Sequence, residues 1–294
     1  MKLLTLIAGD TRLRLAPEAG GGIAAFEWQG VDMLRPADAA ALAARDPLGL
    51  ASFPLVPWSN RIAHGRFAFE GREVVLPLNF GDHPHAIHGH GWQTPWRVEA
   101  HDDRSATLSF DHEAGAWPWR YRAEQVFTLA DDGFGVRLSV ENCSEHRMPA
   151  GLGHHPYFPR TPRMRLGARL DGWWQTDAFV MPTTHVEEAR DDWSDKLHAP
   201  TTTDNVFTGW DGTARIEWPE RGLALTMTAS GPAKWLVVYS PPDQPIACIE
   251  GVTHPTDAIN DPAYPGLAIL EPGERFELDT HFRLNRTATA ALDR

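Results

Sequence analysis

Two cysteines, Cys143 and Cys248, are all the sequence offers for covalent cross-linking, and neither has a CxxC neighbour. A disulfide framework is thereby excluded. Both lie in strand-like segments, so buried free thiols in a reducing cytoplasm are expected. No apolar run approaches the length needed to span a membrane. Residues 1–8 are apolar, but Gly9-Asp10 ends the stretch and no small-residue cleavage site follows a full hydrophobic region. A first strand is expected there rather than a signal peptide. Lys and Arg are scattered without a basic cluster, and the net charge is −12. Such a chain has no electrostatic footprint for nucleic acid or an anionic membrane. With no internal repeat, low-complexity segment or linker-like stretch, residues 1–294 read as one domain. That length buries a sizeable core without disulfide or metal staples.

What is abundant is punctuation and indole: 25 Gly, 24 Pro and 12 Trp. Frequent Gly and Pro favour many short strands over long helices, hence an all-β chain. Leu13 and Leu15 alternate with Arg12 and Arg14, Gly20-Gly21-Gly22 turns the chain into 23–28, and Gln29-Gly30 turns it into 31–34. Strands over 66–69 and 73–76 flank Glu70-Gly71, and strands over 96–100 and 106–110 flank a turn at 101–105. The clearest hairpin joins 121–129 to 135–140 across Asp131-Asp132-Gly133. Tyr121, Ala123, Gln125, Phe127 and Leu129 then share one face. Further strands are predicted over 224–229, 235–239, 246–250 and 276–284. Only 38–45 has a helical pattern, and the Ala/Thr-rich tail after Arg286 is expected to fray.

Histidine is unevenly placed. Of 14, six fall in two short clusters: His83, His85, His88 and His90 between Asp82 and Trp92, and His154-His155 before Pro156. Imidazole titrates near neutrality and serves as acid, base or metal ligand, so clustering in Gly/Pro-rich loops points to function. For any one ring alone, a satisfied structural histidine is an equal reading. The His-x-His spacings 83/85 and 88/90 suit a cupin-type metal site, which also needs a further His and a Glu a few residues on. The first acid after His90 is Glu99, beyond Pro95, and Pro84 with two glycines interrupts the required strand. A metal is therefore not expected. Glu250 ends an apolar strand, where an isolated carboxylate is either paired or functional because burying it ionised is expensive. Asp204-Asn205 suits a turn or cap as readily as a binding role. Arg61, near Trp58, suits either sugar hydroxyls or a surface ion pair. Indoles stack on the apolar C–H faces of sugars, although most of the Trp residues are expected in the core.

In this order the segments resemble the aldose 1-epimerase (galactose mutarotase) family. The resemblance is carried by Asn60-Arg61-Ile62 with Gly65-Arg66-Phe67, by Ile87-His88-Gly89-His90-Gly91-Trp92 and by His155-Pro156-Tyr157-Phe158. Thr203-Asp204-Asn205-Val206-Phe207 and Ile249-Glu250 with His254-Pro255-Thr256-Asp257-Ala258-Ile259-Asn260 complete it, from about Pro17 to the last strands. It implies a large antiparallel β-sandwich with a cleft across one sheet, a small-molecule sugar substrate and acid–base chemistry without a cofactor. By the same resemblance Glu250 takes the C1-hydroxyl proton, His155 protonates the ring oxygen and His88 assists there. Arg61 and Asp204 hold hydroxyls, and Asn60, Trp92 and Tyr157 complete the expected substrate-binding set. A monomer or homodimer is consistent with it. The sequence departs from the family pattern at His90, where a second Gly is common, at Gly251-Val252-Thr253, where many relatives carry Gln, and at His154, where Asn is common. These bear on sugar specificity more than on reaction type. Two other readings remain on the same fold: a sugar-phosphate (hexose-6-phosphate) 1-epimerase, with Arg35 or Arg66 joining Arg61 on the phosphate, and a non-catalytic carbohydrate-binding protein.

Overall fold

The structure, a computed structural model, describes residues 1–263 and 265–287. It is built almost wholly from antiparallel strands. Leu4–Ala8, Thr11–Ala16, Gly22–Trp28 and Val31–Asp32 form a four-stranded meander. The remaining long strands join a 15-stranded sheet. From one edge it runs Arg97–His101, Ser105–His112, Tyr121–Ala130, Gly133–Asn142, Arg275–Arg286, Leu223–Ala229, Thr213–Trp218 and Arg165–Thr176. It continues through Thr203–Thr208, Trp235–Ser240, Ile246–Val252 and Gly153–His154 to Pro54–Leu55. Tyr157–Pro159 adds to Ile246–Val252, and Pro182–Asp192 adds to Arg165–Thr176.

The meander packs on the first part of the large sheet. Leu6, Leu13 and Phe26 share a core with Phe127, Phe134, Leu138 and Leu278, and the Phe26 and Phe134 rings meet edge-on at 4.7 Å. Two apolar faces closed on one another give the expected sandwich. The 121–129 alternation holds residue for residue: Tyr121, Ala123, Gln125, Phe127 and Leu129 are all buried, and the hairpin closes on Asp131-Asp132 with Ala130 opposite Gly133. The Glu70-Gly71 turn joins Arg66–Phe69 to Arg72–Val75 with both turn residues at positive φ, the backbone that matches strand twist in a two-residue hairpin.

Several elements differ from the sequence reading. Cys248 is buried as expected, but Cys143 lies just past the end of Gly133–Asn142 and is exposed. The helix is Ala39–Ala44, capped by Asp38, whose Oδ1 accepts from the Ala41 N–H at 2.7 Å, and a second short helix forms at Ser194–Leu197. Arg165–Thr176 and Pro182–Asp192 form a long hairpin that pattern reading missed. In Pro182–Asp192 no residue is buried, so there is no apolar face to leave a period-two signal. The tail beyond Arg286, expected to fray, lies outside the described residues apart from Thr287.

One glycine fits a close backbone approach between two loop segments. Gly89 has φ +71°, and a Cβ there would sit 2.1 Å from the Val56 carbonyl oxygen. His90 and Gly91 donate their N–H groups to that same oxygen at 2.9 and 3.1 Å. Neither side is a flexible side chain that could yield. Gly89→Ala should therefore lower stability by at least about 1–3 kcal/mol from backbone strain alone. A melting temperature equal to wild type would refute the strain.

Candidate active site

Four strands of the large sheet and the segments packed against them build a cavity of about 420 Å³. Cross-strand register explains why the polar residues meet. Asp204 lies opposite Tyr239, Tyr239 opposite Cys248, and Cys248 opposite Tyr157. One pleat further, Val206 lies opposite Val237 and Val237 opposite Glu250. Because side chains alternate, Asp204, Tyr239, Tyr157 and Glu250 rise from one face. His155 is brought to the same side by backbone: its N–H donates to Phe53 O at 3.0 Å, and the Tyr157 N–H donates to Ala51 O at 2.9 Å.

Glu250 stands in a strand buried along its whole length, with 2% of its side chain exposed. Its Oε1 is 3.3 Å from His155 Nε2, and its Oε2 is buried without a partner. Burial raises the Glu250 pKa well above the ordinary carboxylate range; Asp204 adds to the effect and Arg61 opposes it. Burial also lowers His155 to about 3, with Arg35 and Arg61 contributing. Both shifts favour the neutral forms, so the contact is a buried acid–imidazole pair that shares one proton rather than a settled ion pair.

His155 is packed against aromatic neighbours on adjacent sides. Phe53 stacks on it at 4.6 Å and 23°, and Tyr157 lies at 4.7 Å. His88 approaches it edge-on at 5.4 Å. The backbone N–H of His88 donates to Asn60 O at 2.9 Å, and the ring Nδ1 of His88 accepts the Asn60 N–H at 3.0 Å. That bond leaves Nε2 as the protonated nitrogen of a neutral ring. Burial, reinforced by His155 and Arg61, holds its pKa well below the usual value. His88 is therefore a hydrogen-bond donor rather than a cation.

Asn60 orients the arginine beside it, its Oδ1 accepting from Arg61 N at 2.9 Å and from Arg61 Nη1 at 3.0 Å. Arg61 Nη2 reaches Asp204 Oδ2 at 3.3 Å. Burial raises the Asp204 pKa, and Arg61 opposes this. Trp92 stacks on Phe53 at 5.4 Å and anchors its indole N–H on Gly89 O. Arg61→Ala would leave Asp204 without its donor, whereas Asn60 Oδ1 keeps the backbone N–H of residue 61, and would remove a charged hydrogen bond to any hydroxyl held there. The expected result is a rise in KM of about ten- to hundredfold with a smaller change in kcat. A KM within twofold of wild type would assign Arg61 to structure alone.

All eight residues singled out from the sequence line this one cavity: Glu250, His155, His88, Arg61, Asp204, Asn60, Trp92 and Tyr157. Phe53, Phe80, Tyr239 and Gln244 line it as well and were not foreseen, being ordinary strand or loop residues without a chemical signature. Of the two further arginines weighed for a phosphate, Arg66 is exposed on its strand away from the cavity. Arg35 reaches the cavity, but its Nη2 donates to the Leu48 and Leu50 carbonyls and its guanidinium lies 3.9 Å over the Tyr157 ring.

The other clustered histidines serve elsewhere. His90 Nδ1 is 2.9 Å from the Tyr121 hydroxyl and its ring stacks on His112 at 4.3 Å, so burial takes it to about 3. His154 does not line the cavity; it is buried with neither ring nitrogen hydrogen-bonded, and burial pushes it to about 3. His83 Nδ1 and His85 Nδ1 each accept a backbone N–H, from His85 and His64. Among the described residues no three His, Cys, Asp or Glu side chains converge in a metal-binding arrangement.

Comparison with known proteins agrees with this geometry. The sequence profile of the aldose 1-epimerase family matches residues 2–283. An uncharacterized Escherichia coli K12 protein, YphB, is 34% identical over 284 residues, covering 93% of this chain and 96% of that one. Galactose mutarotase of Pongo abelii is 23% identical over 269 residues, 77% of this chain and 76% of its own. The crystal structure of a candidate aldose 1-epimerase from Escherichia coli K12 superposes with a TM-score of 0.89 at 30% identity, covering 97% of this chain and 99% of that one. A galactose mutarotase-like protein from Clostridium acetobutylicum has the same fold, with a TM-score of 0.82 at 20% identity and coverage of 97% and 95%.

Proposed function

The chain belongs to the aldose 1-epimerase family, and from that premise we propose that it interconverts the α and β anomers of free aldoses by opening and reclosing the hemiacetal ring. The observation that carries this reading is the buried Glu250–His155 pair, with one carboxylate oxygen left unpartnered in a cavity the size of a sugar. A binding protein has no use for a matched acid and base. Their burial in an apolar sheet would be a cost without return.

In the proposed reaction the pyranose lies with C1 and O5 between the two groups. The reaction starts from the form in which the proton shared by the pair rests on His155 Nε2, so that the Glu250 carboxylate accepts the proton of the C1 hydroxyl. Electrons of that O–H bond form the C1 carbonyl as the C1–O5 bond breaks, and O5 takes the proton from His155 Nε2. His88, fixed as an Nε2–H donor, stabilises the charge developing on O5. The open aldehyde turns about C1–C2, and reclosure runs the same transfers in reverse. Charge is conserved within the site at each step, so neither an electron sink nor a covalent intermediate is needed.

The two arginines differ in a way that favours free over phosphorylated aldoses. Arg61 donates to Asn60 and to Asp204, whose carboxylate already faces its charge. That leaves Arg35 as the one guanidinium lining the cavity without a carboxylate partner among the described residues, where a phosphate dianion calls for two or more converging arginines. Anomeric exchange followed by saturation-transfer NMR should be faster for glucose or galactose than for glucose 6-phosphate by at least about tenfold in kcat/KM. Preference for the phosphate would move the protein to the sugar-phosphate epimerases.

A further inference from the structure

Charge in the catalytic cavity does not cancel. Its titratable lining consists of Arg35, Arg61, Asp204, Glu250, His88 and His155, with the two tyrosines. Arg61 and Asp204 form an ion pair, Glu250 and His155 hold one proton between them, and His88 is a neutral donor. What is left over is the Arg35 guanidinium. A chain of net charge −12 thus places one uncompensated positive charge in its cavity. A cation partly withdrawn from water without a counter-ion is poorly solvated, and an entering anion gains the interaction that the protein itself does not supply.

Arg35 is half-buried and only partly used. Its Nη2 donates to the Leu48 and Leu50 carbonyls, its Nε is buried without an acceptor, and among the described hydrogen bonds Nη1 has none either. Its position fixes which sugar atom it would meet. The Tyr157 ring has the His155 ring at 4.7 Å and the Arg35 guanidinium at 3.9 Å. Tyr157 lies opposite Cys248, one pleat from Glu250 along the same strand, a step of about 7 Å. In the proposed reaction His155 serves O5, and the carbon bonded to O5 on the side away from C1 is C5, which bears C6. The C6 substituent therefore extends from the His155 end of the ring toward Tyr157 and Arg35. Gln244, before the start of Ile246–Val252, also lines the cavity, and its carboxamide has no partner among the described hydrogen bonds. Arg160 fixes the segment that presents it, donating to the Pro241, Pro242 and Gln244 carbonyls.

We infer that Arg35 binds a carboxylate at C6 of the sugar, so that hexuronates are preferred over neutral hexoses. The inference rests on the anomer-exchange reading of Glu250 and His155 and names the substrate class of that same site. A carboxylate carries a single charge, which one guanidinium balances, and its plane suits the Nη1 donors, with the Gln244 amide as a second donor. A phosphate dianion on the same carbon would keep one charge uncompensated. C1, its hydroxyl and O5 are the same in a hexuronate as in a hexose, so ring opening runs through the same proton transfers.

Anomeric exchange is measured by saturation-transfer NMR at pH 7.5 for glucose, galactose, glucuronate, galacturonate, the methyl ester of each uronic acid and glucose 6-phosphate. At least one uronate should exceed its parent hexose in kcat/KM by about ten- to hundredfold, and its methyl ester, which has nearly the same shape without the charge, should lose that advantage. Arg35→Gln should cut the uronate-to-hexose ratio by at least about tenfold, and Arg35→Lys, which keeps the charge but not the fork, should keep part of it. Hexose exchange with no uronate advantage overturns the inference and leaves the catalytic reading intact. An advantage kept by the ester overturns it as well, and so does an equal loss for both sugars in Arg35→Gln, since Arg35 would then only hold the Leu48 and Leu50 carbonyls. Glucose 6-phosphate ahead of both uronates overturns it in favour of a phosphate site. Should no sugar exchange above its uncatalysed rate, the catalytic reading fails and the carboxylate site falls with it.

Discussion

Replacing Glu250 by Gln should slow anomeric exchange by about 10²–10⁴-fold while leaving the protein folded and at least as heat-stable as wild type. The carboxamide fills the same volume, and its oxygen can still face His155 Nε2, so packing is kept. What is lost is the group proposed to take the C1-hydroxyl proton. Stability moves the other way for an electrostatic reason. Burial raises the folded-state pKa of Glu250, so between the unfolded value near 4.5 and the raised value the folded chain binds more protons than the unfolded one. Stability contributed by this group therefore falls as pH rises through that window, and Gln removes the loss. Polarimetry on α-glucose or α-galactose, paired with a thermal melt at pH 7.5, reads both effects. Activity near wild type would remove Glu250 from the chemistry.

His155→Asn should produce a loss of similar size, about 10²–10⁴-fold, together with a reversal in pH dependence. In the wild type the competent species holds one proton between Glu250 and His155. It gives way to the doubly protonated form only near the depressed His155 value of about 3, and to the proton-free form above the raised Glu250 value. Wild-type kcat/KM should thus hold steady through mildly acidic pH and fall on the alkaline side. Without the imidazole, only the ionised carboxylate can act as base, with water supplying the acid. The residual rate of the variant should then rise with pH across the range where wild type declines. A variant that keeps the wild-type alkaline fall would show that His155 does not share the proton.

How much of the site was legible in sequence depended on chemistry rather than position. Glu250 stood out because a carboxylate in an apolar strand needs a reason to be there, and His88 and His155 stood out by clustering. Arg61, Asp204, Asn60, Trp92 and Tyr157 became visible mainly through the family resemblance; taken singly, each had an equally good structural reading. Phe53 was not visible at all, although it stacks on the His155 ring, because a phenylalanine beside a short strand looks the same whether it packs a core or a cavity-lining side chain. Cys143 was misread for a related reason: a cysteine one residue beyond a strand carries no local mark of its exposure.

Local rules reach as far as the strand and the turn. Period-two burial set the Tyr121–Ala130 arm residue for residue, Glu70-Gly71 set its hairpin, and the shortage of helical periodicity set the fold class. These depend on a few bonds along the chain and on which side of a pleat is covered, so sequence alone determined them. The tertiary structure decided which pleats became neighbours, and with them the meeting of Glu250 and His155, the tautomer of His88, and the separation of His90 and His154 from the site. Each of these rests on register between distant strands and on removal of charge from water, quantities that exist only once the sheet has closed over its core.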